Sequence, residues 1–475
     1  MTNRVRTVFA NISWMLIAQI IVSILSFIWT IMVAQYLGPS EYGIFGTAIS
    51  FSSLFLVLSD LGIGTYIIRA ISTDLEIESK YINNAFSLSL FLSILYLLVV
   101  FLVLLVLGWD NLIILSCLLY AIVNVISKFV GVLVIPFQVH EQMKFQAINN
   151  IIGNVSTFVA LIIVIFTSLG LFGVLSAYII SGIISFVYVF FTVSKHYFKP
   201  KLSFNPNFYK ELIISGIPFA IASVFVTIYY SLDMVMITQF VGTYDAGLYN
   251  AAYKLISFFT IFYSIYGTVI FPVLNKLFKD DEGLLNLGFV KSSKYLSAIS
   301  IPIAVFICFY SYDIINIYGS EFTSAGPLLN ILIWTIVLLF INSNGGYVLN
   351  VMHKEYSVTV ICGLSALLNF VLNWLFIPKY SFYAASVTTV LSEVINFILI
   401  MYVLKQLGQL PDKHLVYDII KICLASGILA LALHFLNLNM WLAMPVSIVV
   451  YFAALLALKT PDDQDKLILK QILNR

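Results

Sequence analysis

Five ionisable side chains fall inside long apolar runs of this sequence: Asp60, Lys128, Asp233, Lys254 and Glu393. An ionisable group in hydrocarbon is expensive unless it is paired or faces a wet cavity, so each is a candidate for binding a charged solute, carrying a coupling ion or anchoring a partner helix. Asp233 and Lys254 each lie about 10.5 residues from the midpoint of the turn at Thr243 and Tyr244, or about 16 Å along antiparallel helices. Equal depth predicts an ion pair. Direct contact with a solute or a coupling ion is the alternative, because buried pairs can fix geometry without adding net stability. Asp60 and Lys128 form a similar case, each roughly 12 Å from the basic-loop end of its helix. The long stem of Lys128 can either snorkel towards that end or present its ammonium to a phosphate. Glu393 sits near the middle of its run, where a carboxyl group stays hydrogen-bonded or takes up a proton or a sodium ion. Asn124, Asn154, Asn342, Asn344, Asn369 and Asn373 add amides at the same depths, suited to interhelical hydrogen bonds or to sugar hydroxyls. The histidines, at 140, 196, 353, 414 and 434, show no metal-ligand spacing, and no metal or cofactor is expected. Cys117, Cys308, Cys362 and Cys423 fall in apolar stretches and read as small hydrophobes.

The elements that must hold these groups follow from composition. Of 475 residues, 61% are hydrophobic and 10% charged, against about 25% charged in soluble domains. Apolar runs of spanning length fall at 8–34, 44–68, 82–107, 112–135, 148–167 and 171–193. They resume at 212–241, 248–274, 295–317, 328–351, 358–377 and 382–404, with a last pair at 417–436 and 440–458. The sequence therefore predicts an all-α polytopic membrane protein with about 14 transmembrane helices. Of 24 lysines and arginines, 21 lie in alternate connections or at the two ends, which places both termini on the cytoplasmic side. A net charge of +2 gives no reason to expect a nucleic-acid partner. The connections on the opposite side are short, the longest near residues 318–327, and leave little room for an active site, so enzyme chemistry is not expected.

An internal repeat organises the runs. The segment starting at Ala34 aligns without a gap on the one starting at Thr238, so that Gln35, Gly38, Glu41, Gly43, Phe45 and Ala48 meet Gln239, Gly242, Asp245, Gly247, Tyr249 and Ala252. The offset of 204 residues equals six runs in the hydropathy count. A second echo at offset 211 pairs Ser181, Ile184 and Phe186 with Ser392, Ile395 and Phe397. Six crossings are an even number, so the copies share one orientation, related by an axis along the membrane normal. The expected architecture is a six-helix lobe over 1–194, a cytoplasmic connection over 195–211, and a second six-helix lobe over 212–405. Helices 13 and 14 over 406–459 and a cytoplasmic tail over 460–475 complete it. The tail, with Leu467, Ile468, Leu469, Ile472 and Leu473 among charges, reads as a short interfacial helix.

Several segments carry a family likeness: YLGPSEYGIF, SDLGIGTYIIRAIS, FQVHEQMKFQAI, DMVMITQFVGTYDAGLYNAAYKL, IYGSEFTSAGPLLNIL and FIPKYSFYAASVTTVLSEV. In order and spacing the chain resembles the oligosaccharide-lipid flippases of the multidrug/oligosaccharidyl-lipid/polysaccharide exporter superfamily. The resemblance implies two lobes in alternating access, moving a polyprenyl-phosphate-type lipid-linked oligosaccharide from the cytoplasmic to the outer leaflet of the cell membrane. It also implies membrane lipids and glycan assembly enzymes as partners, a monomeric protein, and coupling to protons or sodium. A cation-coupled multidrug exporter of the same superfamily is the alternative, with a membrane glycosyltransferase or ligase further off. Some relatives are expected to have strongly cationic cavities, whereas this chain sets two intramembrane lysines against Asp60, Asp233 and Glu393.

Overall fold

Hydrocarbon offers peptide groups no hydrogen-bond partner, so an apolar chain must close its backbone bonds internally. The computed structural model, which describes residues 2–280, 282–409, 413–462 and 465, contains only helices and their connections among those residues. In chain order they are α1 (Thr2–Leu54), α2 (Val57–Asp60), α3 (Ile63–Ile71), α4 (Glu78–Leu107), α5 (Asn111–Val139), α6 (Met143–Thr167), α7 (Gly170–His196) and α8 (Pro206–Phe240). There follow α9 (Thr243–Asp280), α10 (Glu282–Phe309), α11 (Ser311–Asn316), α12 (Gly326–Leu332), α13 (Trp334–Val351), α14 (Glu355–Gln406), α15 (Lys413–Leu436) and α16 (Met440–Ala457). Among the described residues, twelve helical stretches are long and apolar enough to cross a membrane. Two of them are double: α1 breaks at Gly38 (φ 69°), just before Pro39, and α14 breaks at Ser381 (φ 54°). Glycine tolerates a left-handed φ, and proline starts a new helix well. The two breaks fall between the expected runs 8–34 and 44–68 and between 358–377 and 382–404. The interfacial helix expected over residues 467–473 lies outside the described residues.

The repeat is visible in the backbone. Residues with left-handed φ recur as Gly38 and Gly242, Gly108 and Gly319, Glu141 and His353, and Gly170 and Ser381. The first pair is separated by the offset of the first sequence match, and the last by that of the second. Turns thus repeat even where side chains do not.

Two compact units emerge. The first contains the described residues of 1–250 together with 370–382, and the second those of 251–369 and 383–475. In the first unit α1 packs on α5, α6, α7 and α8, while α5 also contacts α4 and α7. The sequence assigns α8 to the second lobe, yet its partners here include α1, α3 and α4. Phe208 and Leu212 of α8 join Ile63, Ile67, Ile71 and Ile82 in one apolar cluster, which explains the attachment. In the second unit α10 packs on α13 and α15, and α15 on α16. The core is apolar but also takes in hydroxyls such as Ser52, Ser59, Ser87 and Ser116, while large apolar side chains face outward, Val106 and Phe166 being 85% exposed. Lipid tails are as apolar as leucine, so close packing and interhelical hydrogen bonds must hold such helices together.

Candidate functional site

Asp60 closes the single turn of α2, and the next two residues, Leu61 (φ 47°) and Gly62 (φ 70°), both turn left-handed before α3 begins. The break is tightly packed. A Cβ on Gly62 would lie 2.3 Å from the Gly216 carbonyl oxygen, and one on Gly216 2.3 Å from the Leu61 carbonyl oxygen. The α8 backbone therefore buttresses the interruption that aims Asp60. Asn124 and Lys128 stand four residues apart on one face of α5. Lys128 Nζ forms an ion pair with Asp60 Oδ1, so the structure brings together the two groups that the sequence placed at equal depth. The pair is lopsided: the Lys128 side chain is 10% exposed, that of Asp60 37%. One turn away, Asn124 Nδ2 donates to Tyr96 Oη at 3.1 Å, and Tyr96 Oη donates to the Ser52 carbonyl oxygen at 3.0 Å. Ser52 Oγ continues the ladder to the Cys117 carbonyl oxygen at 2.9 Å. Further along, the Tyr178 ring contacts Trp29, Phe45 and Tyr120 at centroid distances of 5.5, 5.6 and 6.0 Å. The first unit thus encloses a half-open ion pair, an amide–hydroxyl ladder and an aromatic cluster.

Asp233 is held differently. Its Oδ2 accepts from Tyr249 Oη at 2.9 Å and its Oδ1 from Asn373 Nδ2 at 2.6 Å, all three residues belonging to the first unit. Lys254 belongs to the second. Also in the second unit, Glu393 is 1% exposed, and Asn342 Nδ2 donates to its Oε2 at 2.6 Å and to its carbonyl oxygen at 3.0 Å. Asn344 bonds Ser293 at 2.8 Å, and in the first unit Ser26 bonds Asn154 at 3.1 Å. For these asparagines, interhelical bonding is the observed role.

Sequence reasoning missed a clamp in the second unit. Lys294, 3% exposed, lies 2.7 Å from Asp465 Oδ2 and 3.0 Å from Asp418 Oδ2 and donates to the Thr460 carbonyl oxygen at 2.9 Å. Lys291 reaches Asp462 and, at 2.9 Å, Asp465 Oδ1, which also accepts from Tyr295 Oη at 2.6 Å. Asp462 and Asp465 exchange backbone N–H to carboxylate bonds of 3.0 and 2.8 Å, the reciprocal pattern of a capping box. Burial by itself raises the Asp465 carboxyl, but bonds from Lys294, Tyr295, the Asp462 amide and Lys291 outweigh it and hold the group well below the usual carboxylate range. The legible signal was the three-residue spacing of Asp462 and Asp465 opposite Lys291, Lys294 and Tyr295 on one helix face. At the basic-loop end of the first unit, His140 Nε2 lies 3.0 Å from Glu78 Oε2. Burial and the Glu78 charge push neighbouring Tyr197 up to about 12. His140 is therefore a structural partner and not a loop residue bathed in water.

Residues 8–278 match the sequence profile of a family described as polysaccharide biosynthesis protein. The chain belongs to that family. It is 24% identical over 415 residues to the capsular polysaccharide biosynthesis protein CapF of Staphylococcus aureus, a match covering 84% of this chain and 99% of the relative. Its fold is similar to that of the lipid II flippase MurJ in an inward closed conformation, with a TM-score of 0.77, 18% identity and coverage of 97% of this chain and 99% of the other. An inward-facing multidrug-resistance MATE transporter of the MOP superfamily aligns with a TM-score of 0.64, 12% identity and coverage of 80% of this chain and 95% of that one. Membership of the polysaccharide biosynthesis family joins an all-helical fold with twelve membrane-length helices, so the chain is a multi-pass membrane protein. The family's profile covers α2, α5 and α8, and hence Asp60, Lys128 and Asp233.

Proposed function

We propose that this member of the polysaccharide biosynthesis family is a flippase that carries a polyprenyl-phosphate-type lipid-linked oligosaccharide from the cytoplasmic to the outer leaflet by alternating access. The basic-residue asymmetry supports cytoplasmic termini and places Lys128 in the cytoplasmic half of its span. The observation that carries the reading is the enclosed Lys128 ammonium with a half-exposed carboxylate as partner. A glycan joined to phosphate cannot cross about 30 Å of hydrocarbon unaided, because each unpaired polar group there costs several kcal/mol. A polar path between lobes removes that barrier for the head, and the lipid tail needs none. An enclosed ammonium requires an anion beside it, which Asp60 supplies when no substrate is bound and a substrate phosphate supplies when one is. Asn124, one turn from Lys128 and bonded to Tyr96, adds polar groups beside the ion pair. Asp233 and Glu393 are the candidate sites for proton or sodium coupling. Transport then requires different substrate affinity in the two end states, since equal affinity shifts no population.

The test is flipping of defined lipid-linked sugars in vesicles, with and without ion gradients. Lys128→Gln should lower the rate per folded molecule by about tenfold or more, the loss of one charge-assisted contact. Lys379→Gln, in a turn on the opposite side, should leave the rate unchanged. Equal flipping by wild type and Lys128→Gln would remove Lys128 from the site.

A further inference from the structure

The aromatic cluster of the first unit carries two hydrogen-bond donors that its packing does not use. Tyr178 of α7 is the hub, with Trp29 of α1 set edge-on to it at 82° and the rings of Phe45 and Tyr120 alongside. Trp29 Nε1 and Tyr178 Oη are both buried, and neither has a hydrogen-bond partner among the described residues. Elsewhere in the same unit such groups are satisfied. Tyr96 Oη donates to the Ser52 carbonyl oxygen and accepts from Asn124, Tyr249 Oη donates to Asp233, and Trp109 Nε1 donates to Gln239. Buried tyrosine and tryptophan normally find a partner, and a buried donor left without one costs stability. Packing alone would be served as well by rings without a polar edge.

The cluster stands in line with the ion pair. Tyr120, Asn124 and Lys128 recur every four residues along one side of α5, so Tyr120 lies about 12 Å further from the basic-loop end than Lys128. Trp29, Tyr120 and Tyr178 are half-buried and keep part of their surface open. The repeat marks the position as specialised. At offset 204 Trp29 corresponds to Asp233 and Phe45 to Tyr249, so rings stand in the first half where the second half holds a bonded carboxylate. An acyl tail would leave both donors unanswered in hydrocarbon, and a phosphate would find no cation among these rings. A pyranose meets both demands: its C–H face lies against an electron-rich ring, and its hydroxyls accept from the indole N–H and the phenol O–H.

We propose that Trp29, Tyr120 and Tyr178 form a stacking subsite for a neutral pyranose ring of the cargo glycan, set beyond the phosphate contact at Lys128. The proposal rests on the lipid-linked oligosaccharide reading given above and divides the labour within it: Lys128 reads the phosphate, and the ring cluster reads the sugar. The two donors hold no other helix in place, so removing them should weaken sugar binding without destabilising the fold.

The test measures binding to the full-length protein in nanodiscs with three probes: bare polyprenyl phosphate, the same lipid carrying a short neutral oligosaccharide of glucose and N-acetylglucosamine, and that oligosaccharide free. The ratio of the dissociation constants of the bare and glycosylated lipids is the gain due to sugar. It should be roughly tenfold or more in wild type, from two hydrogen bonds and a stacked face. Trp29→Phe and Tyr178→Phe should each reduce it about fivefold, the worth of one neutral hydrogen bond, with binding of the bare lipid and the thermal unfolding midpoint unchanged. Tyr120→Leu, which takes away a stacking face, should reduce it several-fold. Lys128→Gln should weaken both lipids by one factor and so preserve the gain. A gain that is absent in wild type, or that survives both phenylalanine substitutions, overturns the subsite. So does a gain lost only in step with a fall in the unfolding midpoint, which would make the two groups structural. Free oligosaccharide that binds wild type and loses affinity in Tyr178→Phe, in protein that binds neither lipid, would refute the lipid-linked cargo and leave the sugar subsite standing.

Discussion

Two lysines, one in each compact unit, are enclosed by protein and answered by aspartates, yet they are built for opposite ends. Lys294 touches Asp418 and Asp465, lies 3.6 Å from Asp462 Oδ2 and donates to a backbone carbonyl as well. Two of these carboxylates, Asp462 and Asp465, are in turn tied to Lys291 and to each other's backbone, and Asp465 also to Tyr295. Lys128 has Asp60, itself more than a third exposed at the end of a one-turn helix. A charge held by several carboxylates, two of them cross-bonded, cannot change partner without disturbing the network. A charge answered by one open carboxylate can exchange it for another anion of similar geometry. Enclosure of a lysine therefore says little about function; the connectivity of its counter-ion says more.

The largest effect should come from breaking the clamp. Lys294→Met leaves several carboxylates without their central cation and should destabilise the folded protein by about 3–5 kcal/mol, measured by thermal unfolding in detergent or as loss of monodisperse protein. A change under about 1 kcal/mol, the scale of an exposed pair, would erase the contrast with Lys128. A smaller effect is expected at the open pair. Asp60→Asn should cost about 1–3 kcal/mol by leaving Lys128 without its anion, and adding Lys128→Gln should recover most of the loss. A double-mutant cycle measures that coupling, and additive losses would show that the two side chains do not act as a pair. The smallest effect concerns pH. Because the Asp465 carboxyl is depressed in the folded protein, its contribution is present above the unfolded value of about 3.9 and is lost only as pH falls through the lower folded value. The stability difference between wild type and Asp465→Asn should therefore stay constant from pH 8 down to about pH 5. A difference that already shrinks within that range would mean that the clamp does not hold the carboxylate as described.

Much of this was legible in the chain. Hydropathy placed the helices, because segment length is set by the membrane and not by tertiary context. Depth arithmetic joined Asp60 to Lys128, because both lie on rigid helices of known rise. The same arithmetic could not reveal that Tyr249 and Asn373 hold Asp233, since Asn373 comes from a segment 140 residues away. Nor could it find the left-handed break at Leu61–Gly62: glycine in a membrane helix signals close packing more often than interruption, and here both occur. The clamp escaped because Asp462 and Asp465 lie beyond the last span, where charges usually meet water.

The recurring left-handed turns also keep a record of how the two halves of the chain have diverged. Seventy residues separate Gly38 from Gly108, whereas seventy-seven separate Gly242 from Gly319. The later intervals, from these turns to Glu141 or His353 and on to Gly170 or Ser381, differ by only one residue each. Almost all the change in length is thus confined to one interval. In the first half that interval contains the broken second span and Asp60; in the second it begins with α9, which runs unbroken for 38 residues. If the halves descend from one duplicated ancestor, the insertion or deletion that made them unequal fell in the stretch where one half has an interrupted helix ending at Asp60 and the other a continuous rod that carries Lys254. Grafting the shorter interval into the second half would ask whether that single length change is enough to break its helix as the first half's is broken.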